Sequence, residues 1–462
     1  MSRLDPSPPL LVRNPRRVRL PLVAAALLIA AAVGLPCGVI AAGDPLAQAA
    51  ALEQQAAALD RQGRSGEVEP LLKRAVAILQ KDFGPDDPRL AQSLDTLADF
   101  YESRGRYSEA EPVYKRVVAL RQKAPGRDRL DLGASLDSLA ALYKREGRYG
   151  EAERLFREAL EIVETAPAPP GGTVATILNN LALIYQDEGR YGEAEPLYQR
   201  ALAVAEKTPQ ASPLVPTILN NLAGVYKEQH RYGEAEPLYA RALERREKDG
   251  AAPLDLAASL NNLASIYDAE GRYREAEPLY RRALELRQKA LGGEHPEIAQ
   301  SLNNLAGIYW QDGQYDKAEP LLQRALAIRE KTLPPDHPEI AAALNNLAAL
   351  YWKEDRRDRA LALSRQAVEA VAAHAAVEAG QRSNTAIAEY RKSRVFFANY
   401  IGIAYGAAAG RPERQAALAA DTFRAVQWAE ASETAQAVAG MTARFAAGND
   451  ALADAVRRRQ DL

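Results

Sequence analysis

One phrase recurs along this chain at a nearly constant interval. The leucine of a repeated Leu-Ala pair returns at Leu97, Leu139, Leu181, Leu222, Leu263, Leu305 and Leu347. Upstream, "GRSGEVEPLLKRAV" from Gly63 matches "GRYSEAEPVYKRVV" from Gly105, so a more divergent eighth unit opens the array. Such a regular period predicts a repeat architecture, in which stacked neighbours bury apolar faces that a single unit cannot bury alone.

Within one period the apolar residues predict two helices. Those of the first segment recur at steps of three and four: Leu178, Leu181, Ala182 and Tyr185. Gly189 can adopt the left-handed conformation that a helix needs just past its end, and Tyr191 begins a return helix. Pro196 is expected within the first turns of that second helix, where a missing amide has no internal partner to lose. Each period therefore predicts a helical hairpin.

Composition favours an all-α protein and removes several functions. Alanine, leucine, glutamate and arginine are abundant, a balance that favours helix over sheet. The 59 basic and 61 acidic residues nearly cancel and are spread along the chain, so we expect no nucleic-acid partner. Cys37 is the single cysteine, which leaves neither a disulfide framework nor a thiolate zinc site for the rest of the chain.

The N-terminal segment, 1–42, has the features of an export signal. A basic leader with Arg13, Arg16, Arg17 and Arg19 precedes an apolar run from Leu20 to Ala42 that ends in small residues. The run is also long enough to span a bilayer, so an uncleaved inner-membrane anchor is the alternative. The rest of the chain is accordingly expected to be periplasmic or secreted, with membrane contact only through this segment.

The repeat resembles a known family. The residues Leu181, Ala182, Tyr185, Gly189, Tyr191, Ala194, Tyr198 and Ala201 have the spacing of the tetratricopeptide consensus. The longer period, the phrase "LNNLA" and the connectors "GEHPEIAQSL" and "PDHPEIAAAL" resemble the long-period variety found in kinesin light chains and bacterial relatives. The resemblance covers residues 46–365, about eight units. It implies a right-handed superhelix of helical hairpins whose first helices line a concave groove.

Adjacent asparagines stand just before the core leucine in the last five units. The resemblance implies that the second of each pair faces the groove, where a ladder of side-chain amides would hold an extended peptide: Asn180, Asn221, Asn262, Asn304 and Asn346. In the alternative, these asparagines bond to the neighbouring repeat and fix the stacking. The two earlier units have Asp95-Thr96 and Asp137-Ser138 instead, so the ladder is confined to the later units.

One turn further along the same helices, cations and large aromatics are expected to face the ligand: Lys227, Trp310, Trp352 and Lys353. Ordinary packing of the tryptophans over the inter-helix turn is the alternative. His295 and His337 occupy matching connectors before a proline, which predicts helix starts with proline at the first position. Neither histidine has a second ligand three or four residues away, so we expect no metal and no other cofactor.

From Ser364 the period fades into alanine-rich helical sequence. Residues 366–462 are expected to form an alanine-rich helical connector. Within them, "FRAVQWAEASETAQAVAGMTARFAAGNDALADAVRRRQDL" from Phe423 resembles the helical segment that leads into a caspase-like CHAT domain in bacterial tetratricopeptide proteins. The CHAT domain itself, with its histidine and cysteine, is expected to be absent. No catalytic motif interrupts the repeats, so no enzyme activity is expected. The favoured function is a scaffold that binds a peptide or partner protein. The alternatives are a regulatory subunit or truncated sensor of a CHAT-type protease system, and a structural envelope protein.

Overall fold

The computed structural model describes residues 44–123, 129–379, 384–408, 413–414, 418, 421–422 and 425. The side chains of residues 375–394 are excluded from this description. The export signal or anchor predicted for residues 1–42 therefore lies outside the described residues, as does Cys37. In the described part every regular element is a helix, which confirms the all-α prediction. No helix there is long and apolar enough to cross a membrane.

The chain divides at residue 246 into two compact units. The first contains five hairpins: α1 (Pro45–Arg61) with α2 (Val68–Phe83), α3 (Ala91–Ser103) with α4 (Tyr107–Lys123), α5 (Arg129–Arg145) with α6 (Tyr149–Glu164), α7 (Gly171–Asp187) with α8 (Tyr191–Lys207), and α9 (Val215–Glu228) with α10 (Tyr232–Lys248), whose last two residues pass the division. Short 3-10 turns at Ser65–Glu67, Pro88–Leu90 and Pro209–Leu214 lie between helices.

The second unit continues the pattern with three more hairpins and a further helix. They are α11 (Pro253–Ala269) with α12 (Tyr273–Leu291), α13 (Pro296–Gln311) with α14 (Tyr315–Thr332), α15 (Pro338–Lys353) with α16 (Arg357–Ala379), and α17 (Asn384–Ala408). In both units the recurring leucine, alanine and tyrosine positions form the core between helices. Leu181 is 3% exposed and Tyr198 is fully buried. The hairpin predicted for each period is confirmed.

The predicted helix ends are correct at the turns and connectors. Gly189 has a φ of 73°, the left-handed conformation expected after α7. Pro296 and Pro338 open α13 and α15, and the side chains of His295 and His337 accept hydrogen bonds from the amides two residues further on. The two histidines are thus helix caps.

Pro196 lies within the first two turns of the second helix, as predicted, but the position is not free of hydrogen-bond cost. This proline lies inside α8, the sixth residue of a helix that begins at Tyr191. The amide of Ala194 already donates to the carbonyl of Arg190, so the amides without internal partners end before Pro196. The proline therefore removes one hydrogen bond from the helix, and packing of the apolar face must offset that loss.

The helix after the last complete hairpin continues the stack. Asn399 on α17 donates to the Asn345 side chain at 3.0 Å, and Phe397, Tyr400 and Ala404 are buried in a core cluster with Ile340 and Leu344 of α15. The first part of the segment expected as a connector thus packs on α15. The CHAT-like stretch that begins at Phe423 lies outside the described residues, apart from Ala425.

Candidate peptide-binding surface

The paired asparagines are largely buried. Here "first helices" denotes α3, α5, α7, α9, α11, α13 and α15, which open successive hairpins. Among the second asparagines of the pairs, Asn180, Asn221 and Asn346 are buried, whereas Asn262 and Asn304 are half-buried. A buried side-chain amide without a partner is unfavourable, so the hydrogen bonds of these residues decide what they can offer to a ligand.

Most of these second asparagines donate to the hairpin before them. The side-chain amide reaches the first residue of the preceding pair, an arrangement that we name the asparagine clasp: Asn180 to Asp137 at 3.3 Å, Asn221 to Asn179 at 3.0 Å and Asn304 to Asn261 at 2.8 Å. In each clasp the first position accepts and the second donates. Asp137 fills an accepting position, which is the one role that a carboxylate can take in such a pair.

The clasps correspond to the stacking alternative considered from the sequence. In Asn180, Asn221 and Asn304 one amide hydrogen points to the neighbouring hairpin, and the Asn304 carbonyl oxygen accepts from Gln300 at 3.0 Å. A peptide would have to use the remaining hydrogen-bonding capacity of these side chains. The peptide-binding role of the ladder, which includes Asn262 and Asn346, stays a prediction.

The residues one turn further along are more accessible. Lys353 is exposed and Lys227 is half-buried. Trp310 and Trp352 are partly buried against the core of the second unit, on the stacked helices α13 and α15. Between the Asn303 and Trp310 turns, a Cβ added at Gly307 would meet no atom within 4 Å, so the surface beside Trp310 is open. The Trp352 ring packs against Gly406 of α17 so closely that no Cβ would fit there. Ligand contact through the open surface is therefore compatible with Trp310, whereas a ligand-facing role for Trp352 stays a prediction.

A tyrosine, a glutamate and an arginine form a second link between hairpins, which the sequence reasoning missed. The Tyr185 hydroxyl on α7 donates to Glu153 of the preceding hairpin at 2.9 Å. Arg190, just after the turn, approaches the same carboxylate at 3.4 Å and lies 4.2 Å from the Tyr185 ring centroid. Its other guanidinium edge holds Glu193 in two hydrogen bonds. The recurring motifs "GRY" and "EAEP" contain the arginine and the glutamate of this link, so its recurrence could have been predicted from the sequence.

The same link lowers the pKa of the shared carboxylate. Hydrogen bonds from Arg106 and Lys73 lower the pKa of Glu69 to about 2. Lys115, with Arg148 and Tyr143, lowers that of Glu111 to about 2, and Arg356 lowers that of Glu319. Each of these glutamates stays ionised well below neutral pH because cations and hydroxyls stabilise the charged form.

A third link uses a buried arginine. Arg287 near the end of α12 donates to the Ser301 hydroxyl on α13 at 2.6 Å and lies 3.4 Å from the Glu297 carboxylate. Arg121 on α4 forms the corresponding bond to Ser135 on α5. Burial lowers the pKa of Arg287, yet the guanidinium remains charged at any ordinary pH. We call this contact the arginine–serine link.

No group of three His, Cys, Asp or Glu side chains within the described ranges is arranged to hold a metal ion. Within each unit the first helices carry amides and cations at a regular interval, and those of the second unit also carry Trp310 and Trp352. The described residues thus place the structure in the class of helical-repeat proteins built from stacked two-helix hairpins.

The chain belongs to the tetratricopeptide repeat family. The family model matches residues 47–123, 94–165, 173–248, 255–331 and 297–373, which together span well over half of the sequence. The structure is similar to the quorum sensor NprR from B. thuringiensis in its apo form, with a TM-score of 0.57 and 13% identity over 76% of this chain and 92% of that one. None of the curated proteins compared with this chain matches it.

Two other solved structures resemble parts of the chain. One is a signal transduction ATPase with numerous domains that carries a tetratricopeptide repeat sensor, from Pyrococcus horikoshii, with a TM-score of 0.51 and 16% identity. It is matched over 68% of this chain, which spans 45% of its length. The other is BtubC (BKLC) from P. vanneervenii, with 29% identity, a TM-score of 0.43, and coverage of 50% of this chain and 92% of that one. The ATPase and NprR structures, with TM-scores above 0.5, support the shared fold.

Proposed function

We propose that this protein is a non-enzymatic scaffold that binds a peptide or a partner protein along its first helices. Tetratricopeptide repeats are typically interaction modules, and the family assignment supports this general role. The finer proposal is that an extended ligand lies across Trp310, Trp352 and Lys353 of the second unit, and that Lys227 is a separate contact in the first unit. The kinesin-light-chain-like subtype and the export of the protein remain part of this proposal.

One observation carries the proposal. Trp310 and Trp352 occupy equivalent positions of neighbouring first helices, one period apart, beside the open surface at Gly307 and the exposed Lys353. Tryptophan is among the residues that most often dominate binding energy at protein interfaces. The open backbone position at Gly307, one turn before Trp310 on the same helix, leaves room for the main chain of a ligand.

Site-specific photocrosslinking tests the proposal. A photoreactive amino acid is placed at Lys353 in the full chain, and a control probe is placed at Glu369, which is exposed on the second helix of the same hairpin. We expect the probe at position 353 to capture a defined partner and the probe at 369 to capture none. Substitution Trp310→Ala should abolish the capture. Equal capture at both positions would contradict a binding surface on the first helices.

A second proposal rests on Tyr405, which is 81% exposed on α17. We propose, as an alternative, that α17 and the C-terminal segment after it dock a separately encoded effector of the CHAT type. Ligand binding to the repeats would then change the activity of that effector. A neighbouring reading frame with a histidine and cysteine effector would be required. Co-purification of that effector with the wild-type chain, and its loss on Tyr405→Ala, would support this proposal. Co-purification that is unchanged by the substitution would contradict it.

A further inference from the structure

Two successive contacts between hairpins in the second unit differ in how fully their polar groups are paired. The contact between the hairpins α11–α12 and α13–α14 is named the Ser301 joint. The contact between α13–α14 and α15–α16 is named the Ala343 joint. Ser301 and Ala343 occupy the same position of the repeat in successive periods.

The Ser301 joint has both the asparagine clasp and the arginine–serine link. Asn304 donates to Asn261 at 2.8 Å, which completes the asparagine clasp. Arg287 donates to the Ser301 hydroxyl at 2.6 Å. Of the buried polar atoms in these links, Nε of Arg287 alone has no hydrogen bond, and Glu297 lies 3.4 Å from it as an ion-pair partner.

The Ala343 joint lacks both links. Asn303, which is 1% exposed, has no hydrogen-bond partner for either polar atom of its side chain, so Asn346 does not close a clasp onto it. Arg329 is 2% exposed; its Nε donates to Glu339 at 3.2 Å, but its Nη1 has no partner, because Ala343 has no hydroxyl where the preceding hairpin has Ser301. The indole nitrogen of Trp310 on the same helix face as Asn303 is also buried without a partner.

These unpaired groups make the observed packing of the Ala343 joint unfavourable relative to a packing that hydrates or pairs them. Buried polar atoms in folded proteins are nearly always satisfied, and a cluster of exceptions marks a place where another arrangement competes. A small rotation between the hairpins would admit water to Asn303 and Arg329, or bring Asn346 within reach of Asn303. In the Ser301 joint the same rotation would break the asparagine clasp and the arginine–serine link.

We infer that the Ala343 joint is a bending point built into the second unit, and that the missing serine hydroxyl is one of its causes. Tyr351 and Arg356 bind Glu319 at 2.8 and 2.7 Å across this joint, and Nε of Arg329 donates to Glu339 at 3.2 Å. The joint therefore stays attached at these two carboxylates, while the Asn303 side chain has no hydrogen bond that a bend would break. Trp310 and Trp352 lie on opposite sides of the joint. If the proposed function is correct, bending adjusts the spacing between these two anchors to the ligand.

Double electron–electron resonance between pairs of spin labels, on the full chain without ligand, tests the inference. Glu285, Ala327 and Glu369 are exposed, equivalent positions of successive second helices. Spin labels at 285 and 327 span the Ser301 joint, and labels at 327 and 369 span the Ala343 joint. The natural cysteine is removed by Cys37→Ser. We expect the second pair to give the broader distance distribution.

Two reciprocal substitutions identify the cause. Ala343→Ser should narrow the distribution for labels 327 and 369 by supplying the missing acceptor to Arg329. Ser301→Ala should broaden the distribution for labels 285 and 327 in the same way, and circular dichroism confirms that both variants fold. Equal widths for the two pairs in the wild-type chain, or widths that neither substitution changes, would overturn the inference. Because no ligand is present, these outcomes are independent of the proposed function.

Discussion

The Ser301 joint and the Ala343 joint lie one period apart and share the same helices on one side, yet they are held by different contacts. The Ser301 joint has the asparagine clasp and the arginine–serine link, but Gln314 stands where other repeats have the arginine that stacks on tyrosine. The Ala343 joint has that arginine, Arg356, and lacks the other two links. Stacking in this array therefore depends on three separable contacts, and apolar packing keeps the hairpins together when some are missing.

Deleting repeat material should have the largest effect. Removal of residues 301–342 takes out one whole period, joins Gln300 to Ala343 and places Asn346 opposite Asn261. Because each hairpin contacts only its neighbours, we expect a shorter array that still unfolds cooperatively.

Removal of residues 301–321 takes out half a period and leaves a helix without its hairpin partner. We expect this variant to lose helicity well beyond the deleted part. Circular dichroism during thermal unfolding distinguishes the two deletions, and equal loss in both would mean that the repeat boundaries are wrong.

Replacing the first asparagine should have opposite effects in the two joints. Asn261→Leu leaves the Asn304 amide without its acceptor, so we expect a loss of about 1–3 kcal/mol in the free energy of unfolding. Asn303→Leu removes a buried amide that has no partner, so it should be neutral or stabilising. Denaturant titration of the two single variants measures the difference, and a similar loss in both would show that Asn303 is paired in solution.

Much of this architecture could be predicted from the sequence. The spacing of Leu181, Ala182 and Tyr185 defined the hairpins, and Gly189 defined their turn, because helical periodicity and left-handed glycine are local properties. The hydrogen-bond partner of Asn221 could not be predicted in this way. Its amide contacts Asn179, a full period earlier in the chain, and only the stacking of two hairpins decides that a mid-helix asparagine faces its neighbour and not the solvent.

Supplying the missing arginine to the Ser301 joint should have a smaller effect. Gln314→Arg places a guanidinium where it can stack on Tyr309 and pair with Glu277, as Arg356 does on Tyr351 and Glu319. We expect a gain of about 0.5–1 kcal/mol, since the contact is partly exposed to solvent. Arg356→Gln in the Ala343 joint is the matched control and should lose a similar amount. Midpoints of thermal unfolding that are the same for both variants as for the wild type would contradict this role.

Acidification should weaken the glutamate links gradually. Glu69 and Glu111 have pKa values of about 2 in the folded chain, below the value of about 4.3 for an unfolded glutamate. Their contribution is therefore complete above about pH 5 and is lost as the pH falls towards 2, because protonation breaks the pairing with arginine and lysine. Thermal unfolding across this range should show a falling midpoint. Glu69→Gln should reduce the slope of that fall, and an unchanged slope would contradict the assignment.

A pair of double-mutant cycles tests the central claim most directly, namely that an asparagine clasp closes the Ser301 joint and is absent from the Ala343 joint. The first cycle combines Asn261→Ala with Asn304→Ala, and the second combines Asn303→Ala with Asn346→Ala. From the free energies of unfolding, we expect a coupling of about 1 kcal/mol in the first cycle and none in the second. Equal coupling in both cycles, or no coupling between Asn261 and Asn304, would contradict the claim.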